Sequence, residues 1–236
     1  MKSLKELFRI GQGPSSSHTM GPRLAAERYL KRHPEAHAFR VTLYGSLAAT
    51  GEGHLTDWAI YQVLGKERTE IVWKPETILP FHPNGMMFEV HTERGSYTEA
   101  WTVYSVGGGA LVEEGKKQTE TPEVYPLDHL EDIKKWCESR GKSYWEYVED
   151  CEGPEIWEYL EEVWKVMSAA VERGIEHEGV LPGVLNLRRK APDYYIRAMG
   201  YGANLQSRGL VFSYALAVSE ENASGGTIVT APTCGA

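Results

Sequence analysis

The chain has 236 residues and a mass of 26.5 kDa, enough for one large domain or two small ones with a buried core. Hydrophobic residues make up 42% and charged residues 25%, and the longest apolar run, Leu210 to Val218, falls far short of the roughly 18 residues that cross a bilayer, so a membrane partner is not expected. The net charge of −8 is concentrated between Glu113 and Glu162, where 16 acidic residues face 6 basic ones in what reads as a solvated helical face and linker; nucleic acid is therefore not an expected partner.

In chain order, Leu4, Leu7 and Phe8 form a short amphipathic segment ahead of Gly11 to Pro22. Pro22 is placed to open a helix running to about Lys31, because the N–H that proline lacks would be unpaired in a first turn anyway. Phe39 to Tyr44 alternates like a half-buried strand stopped by Gly45, and a glycine-rich loop, Gly51 to Asp57, precedes the helical spacing of Trp58, Ile60, Tyr61 and Leu64. Met86, Phe88 and Val90 alternate, as do Tyr97, Glu99, Trp101 and Val103, which with Glu93-Arg94-Gly95-Ser96 between them predicts a β-hairpin. After Gly107 to Gly109 the period changes: Ile156, Leu160, Val163 and Met167 fall on one helical face that Pro154 can start, and Leu210 to Val218 reads as a buried helix. The expected fold is an α+β N-terminal domain followed by an incomplete all-α domain, with the pattern breaking between Glu113 and Tyr125.

Three cysteines, Cys137, Cys151 and Cys234, are too scattered for a disulfide framework and include no C-x-x-C pair, and Met1 to Leu30 lacks the apolar core of a secretory signal; the expected compartment is the cytoplasm. Ser15, Ser16, Ser17, His18 and Thr19 sit between glycines at a helix start, where hydroxyls and unpaired N–H groups can hold a carboxylate or phosphate. The alternative is that one serine caps the helix and the others are exposed loop residues. His54 lies in a second glycine loop whose Thr56 and Asp57 are also candidate helix caps. His82 to Gly85 reads as a turn, and His91 as strand surface. Near the end, Asn222 to Gly226 and Thr230 to Ala236 are small-residue loops of the kind that approach a ligand closely, which brings Asn222, Ser224 and the thiol of Cys234 into consideration; Cys137 and Cys151 read as inert.

The ordered set G-x-G-P-S-S-S-H-T-x-G-P at 11–22, Y-G-S-L-A-x-T-G-x-G-H-x-T-D at 44–57, N-G-M at 84–86, Y-S-V-G-G-G at 104–109, E-G-V-L-P-G at 178–183 and N-A-S-G-G-x-I-V-T-A-P-T at 222–233 resembles the bacterial iron–sulfur L-serine dehydratases of the single-chain type. The resemblance implies a β domain over about residues 1–150, akin to the regulatory substrate-binding domain of some phosphoglycerate dehydrogenases, and the start of a helical catalytic domain over 151–236. It implies a cytoplasmic homodimer converting L-serine to pyruvate and ammonia, in amino-acid degradation that feeds gluconeogenesis. A [4Fe-4S] cluster held by three cysteines would act through its open iron as a Lewis acid on the substrate hydroxyl. His18 and His54 become the expected catalytic residues, with Ser15, Ser16, Ser17, Thr19, Asn222 and Ser224 binding substrate and Cys234 a candidate cluster ligand. Because the sequence stops at Ala236, inside the loop that leads to the family's first cluster cysteine, the expectation is a chain truncated within the α domain that does not retain the cluster. The alternative function is an amino-acid-binding sensor module without turnover.

Overall fold

The structure, a computed structural model, describes residues 1–91, 97–113, 122–183, 185–231 and 233–234. A short helix α1 (Leu4–Leu7) leads into strand β1 (Arg9–Gln12). One π-helical turn (Ser16–Met20) runs directly into α2 (Gly21–Arg32), with Pro22 in the first turn as its chemistry demands. Then follow β2 (Phe39–Tyr44), α3 (Gly45–Thr50), a 3-10 turn (Glu52–His54), α4 (Thr56–Leu64), β3 (Thr69–Lys74), β4 (Gly85–His91), β5 (Tyr97–Gly107) and β6 (Ala110–Glu113).

The five strands from β2 to β6 form one sheet in the order β3-β2-β4-β5-β6, with β2 and β3 parallel and the remaining pairs antiparallel. The expected hairpin is present as β4 and β5; its turn, Glu93 to Ser96, lies outside the described residues. Because β2 is flanked on both sides, five of its six residues are buried, where its alternation had suggested half-burial. Tyr29 of α2 packs on Phe39, Phe88 and Trp101, and with Val41, Leu43, Ile60, Leu64 and Met86 builds the main core. Each such fully buried side chain contributes about 1.5–3 kcal/mol by leaving water.

The second part is helical: α5 (Leu130–Arg140), α6 (Tyr144–Glu152), α7 (Ile156–Glu176), α8 (Ala191–Met199) and α9 (Ala203–Ala223). Much of the acidic stretch is thus α5 and α6, joined at Ser143, whose N–H and hydroxyl both donate to Glu146. Cys151 is in α6 rather than in a linker, and Cys137 and Tyr147 form a small core with Tyr125. Glu152 ties this unit to the start of the chain, accepting from the Ser3 hydroxyl and the Leu4 N–H at 2.7 Å each and from the Tyr125 hydroxyl at 2.8 Å.

The helical part also carries one strand that the period analysis missed, β7 (Thr227–Thr230), paired antiparallel with β1 so that Gln12 faces Thr227 and Arg9 faces Thr230. This ribbon fastens the segment before the serine turn to the segment before Cys234. One expectation about the helices is corrected. Leu210 to Val218 does lie in a helix, α9, but Ser213 and Ala217 are its buried residues there while Phe212 is 65% exposed, so the run is not a buried helix. On α7 the buried stripe is Ile156, Val163, Ala170 and Gly174, with Met167 exposed. The contact stripe follows the small residues because α7 and α9 approach closely: a Cβ on Gly174 would sit 2.4 Å from the Ala217 carbonyl oxygen.

Candidate functional site

The serine turn is ordered by its own hydrogen bonds. The Ser15 carbonyl accepts from the N–H groups of Thr19 at 2.9 Å and Met20 at 3.1 Å, and the Ser15 hydroxyl accepts the His18 N–H at 3.1 Å. The N–H groups of Ser16 and Ser17 come ahead of the first helical bond, in positions that have no intrahelical acceptor. Ser15 is therefore the cap of this turn, and its Oγ lies 3.4 Å from that of Ser17.

His18 places Nδ1 2.9 Å from the Ser17 hydroxyl and Nε2 3.0 Å from the Ser46 hydroxyl, which α3 supplies. Its ring centroid is 4.8 Å from that of His54, at an interplanar angle of 36°. Burial lowers the His18 pKa, and the nearby His54 lowers it further. His54 Nδ1 lies 2.9 Å from the Thr50 carbonyl oxygen. A carbonyl only accepts, so Nδ1 carries the proton and, in the neutral ring, Nε2 keeps the lone pair.

The helix cap expected at Thr56 or Asp57 is instead Leu55, in the left-handed region at φ 55°. A non-glycine residue there costs about 1–2 kcal/mol. Thr56 is free of capping duty, and its hydroxyl donates to the His18 carbonyl; the Thr19 hydroxyl donates to the His54 carbonyl at 2.6 Å. Thr19 and Thr56 are both 0% exposed, so Thr19 lies beneath the site rather than lining it. Sequence reasoning missed Ser46 and the role of Thr56, since a lone hydroxyl in a helix carries no pattern.

From the other end of the chain, Asn222 Nδ2 donates to the Pro14 carbonyl at 3.4 Å and the Cys234 carbonyl at 3.1 Å, and its Oδ1 is buried with no partner among the described residues. Gly13 allows this approach: a Cβ on it would lie 2.1 Å from that oxygen. Cys234 Sγ is 3.8 Å from Met20 Sδ, and burial pushes its pKa up to about 11. The structure thus brings Ser15, Ser16, Ser17, His18, His54, Asn222 and Cys234 around one turn. Ser224 is elsewhere. Its hydroxyl donates to the Glu220 carbonyl at 2.7 Å and accepts from Arg189, beside a buried carboxylate, Glu221, that accepts from Arg173, Arg189 and His177 at 3.0 Å each.

A [4Fe-4S] cluster open at one iron takes three thiolates, and this chain's residues do not fit it by themselves. Cys137 and Cys151 pack with Tyr147 in the α5–α6 core while Cys234 sits by the serine turn, and no group of three or more metal-ligating side chains converges among the described residues.

Unpaired N–H groups and hydroxyls on one turn, with a histidine pair against it, are groups that can hold an anion and exchange a proton. The comparisons name the family. Residues 3–69 match the serine dehydratase beta chain and residues 61–236 the serine dehydratase alpha chain, so the chain belongs to the serine dehydratase family. It is similar to the L-serine dehydratase of Haemophilus influenzae (35% identity, all of this chain, 64% of that protein), to L-serine dehydratase 1 of Escherichia coli (33%, all of this chain, 64%) and to the L-serine dehydratase of Streptomyces coelicolor (33%, 99% of this chain, 63%). The chain thus spans about 64% of the length of the relatives it matches. Among the described residues no helix is long and apolar enough to cross a membrane.

Proposed function

We propose that these residues form the substrate-binding and proton-handling part of an iron–sulfur L-serine dehydratase, an ammonia-lyase that turns L-serine into pyruvate and ammonia. The observation that carries this is the His18–His54 pair packed against the serine turn, in a chain whose relatives are named L-serine dehydratases. Ser16 and Ser17 N–H groups and the Ser15 and Ser17 hydroxyls hold the carboxylate. Asn222 holds the loop ends together beneath this turn, its Nδ2 donating to the Pro14 and Cys234 carbonyls. His54 takes the α-proton on Nε2, since its other nitrogen is committed to Thr50. His18, with both nitrogens on serine hydroxyls and its pKa lowered, stays neutral and orients the hydroxyls.

Loss of the β-hydroxyl is the step for which the family resemblance implies the cluster. Of the chain's three thiols, that of Cys234 lies beside the site. A division into a β domain over residues 1–150 and a helical domain over 151–236, a homodimeric assembly, a cytoplasmic location and a place in amino-acid degradation belong to the same reading. The test is a pyruvate assay under anaerobic conditions, after iron–sulfur reconstitution, on a protein carrying these residues together with the further length its relatives have. Pyruvate from L-serine, at least about 100-fold slower for His54→Gln, is expected. A reconstituted, folded protein that makes none would overturn the proposal.

A further inference from the structure

We propose that Thr19 and Thr56 are positioning residues that set the spacing of the two histidines, each through the other histidine's backbone carbonyl. The inference rests on the reading of His18 and His54 as the proton-handling pair. The connection is crossed: the Thr19 hydroxyl, next in sequence to His18, donates to the carbonyl of His54, and the Thr56 hydroxyl, two residues after His54, donates to the carbonyl of His18. Neither turn can shift without breaking a bond to the other. The Thr19 oxygen also accepts the Ser15 N–H at 3.1 Å, which links the clasp to the anion-holding serines.

Both threonines are fully buried, so their hydroxyls meet protein and not substrate. A valine of the same shape would leave two inward carbonyls without a donor, which is why a hydroxyl is needed at each position. The backbone is bent to suit. Leu55 takes the left-handed conformation between His54 and Thr56, and the Gly51 carbonyl accepts both the His54 N–H at 3.1 Å and the Thr56 N–H at 2.9 Å. A Cβ on Gly51 would lie 2.1 Å from the Leu47 carbonyl oxygen, so the turn closes only around glycine. Held backbone strain beside reactive side chains is a mark of a geometry kept for use.

The test is histidine NMR on this chain, wild type and the variants Thr19→Val, Thr56→Val, Thr19→Ser and Thr56→Ser, titrated from about pH 8 to about pH 5. The groups around the His18 ring are the Ser17 and Ser46 hydroxyls, and among the described residues His54 is the one whose charge acts on it. The wild type should show ring-to-ring Overhauser contacts between His18 and His54 and a His18 midpoint below the ordinary histidine value. Each valine variant should lose the contact and move the His18 midpoint upward, and each serine variant should keep both. Folded valine variants with contact and midpoint unchanged overturn the proposal. If the valine variants do not fold, the wild type decides: slowly exchanging Thr19 and Thr56 hydroxyl protons uphold the clasp, and their rapid exchange overturns it. No L-serine is used, so the result is independent of whether the site binds that substrate.

Discussion

His18 and His54 face each other with ring centroids 4.8 Å apart, each on a turn whose carbonyl is held by a threonine of the other. Two imidazoles this close disfavour both carrying a positive charge at once, and the pKa of His18 is lowered by burial first and by His54 second.

A pH dependence of stability follows. The folded chain releases the His18 proton more readily than the unfolded chain, so between the folded value and the unfolded value of about 6.5 the unfolded state binds more protons. The contribution of neutral His18 is complete above about pH 6.5 and is lost as pH falls through the folded value. Urea unfolding at about pH 7.5 and at about pH 5.5 should show a larger loss for wild type than for His18→Gln.

Glu221 is 4% exposed and accepts from Arg173, His177 and Arg189, the last of these only 9% exposed. Burial pushes its pKa up, but the bonds from His177, Arg173 and Arg189 outweigh that and hold the carboxyl below the usual range. Glu221→Ala strands a buried guanidinium and should cost about 3–5 kcal/mol in urea unfolding, with Glu221→Gln costing less.

Two glycines give opposite expectations. Gly13→Ala puts a methyl 2.1 Å from Asn222 Oδ1 and 2.3 Å from its carbonyl oxygen, so the Asn222 loop must move; a loss of about 1–3 kcal/mol and a faster reaction of Cys234 with iodoacetamide are expected. Gly53→Ala meets nothing within 4 Å and should change stability by less than about 0.5 kcal/mol. Thermal melts and peptide mass spectrometry after labelling read both effects.

The α7–α9 contact gives a fourth test. Gly174→Ala drives a methyl against the Ala217 backbone and should cost about 1–3 kcal/mol, whereas Phe212→Gln, on the same helix as Ala217 but 65% exposed, should stay within about 0.5 kcal/mol.

What could be read in the sequence was local. Pro22 at a helix start, the Gly45 stop after Phe39 to Tyr44 and the alternation of Met86, Phe88 and Val90 each follow from one residue's backbone or one period, and each is present. The β1–β7 ribbon was not legible, because two four-residue strands from opposite ends of the chain have no shared periodicity. The Leu210 to Val218 run misled because composition gives hydrophobicity but not what covers it. At the site, the residue types of Ser15 to Thr19 and His54 pointed to anion and proton chemistry. That Thr19 faces inward, and that Ser224 belongs to the Glu221 network, depended on contacts with residues far away in sequence.

The most direct measurement is calorimetric titration of L-serine into this chain, wild type and His54→Gln. The site described here predicts saturable heat for the folded wild type and weaker binding for the variant. No heat from folded wild-type protein at millimolar L-serine would contradict the assignment of the serine turn and histidine pair as a substrate site.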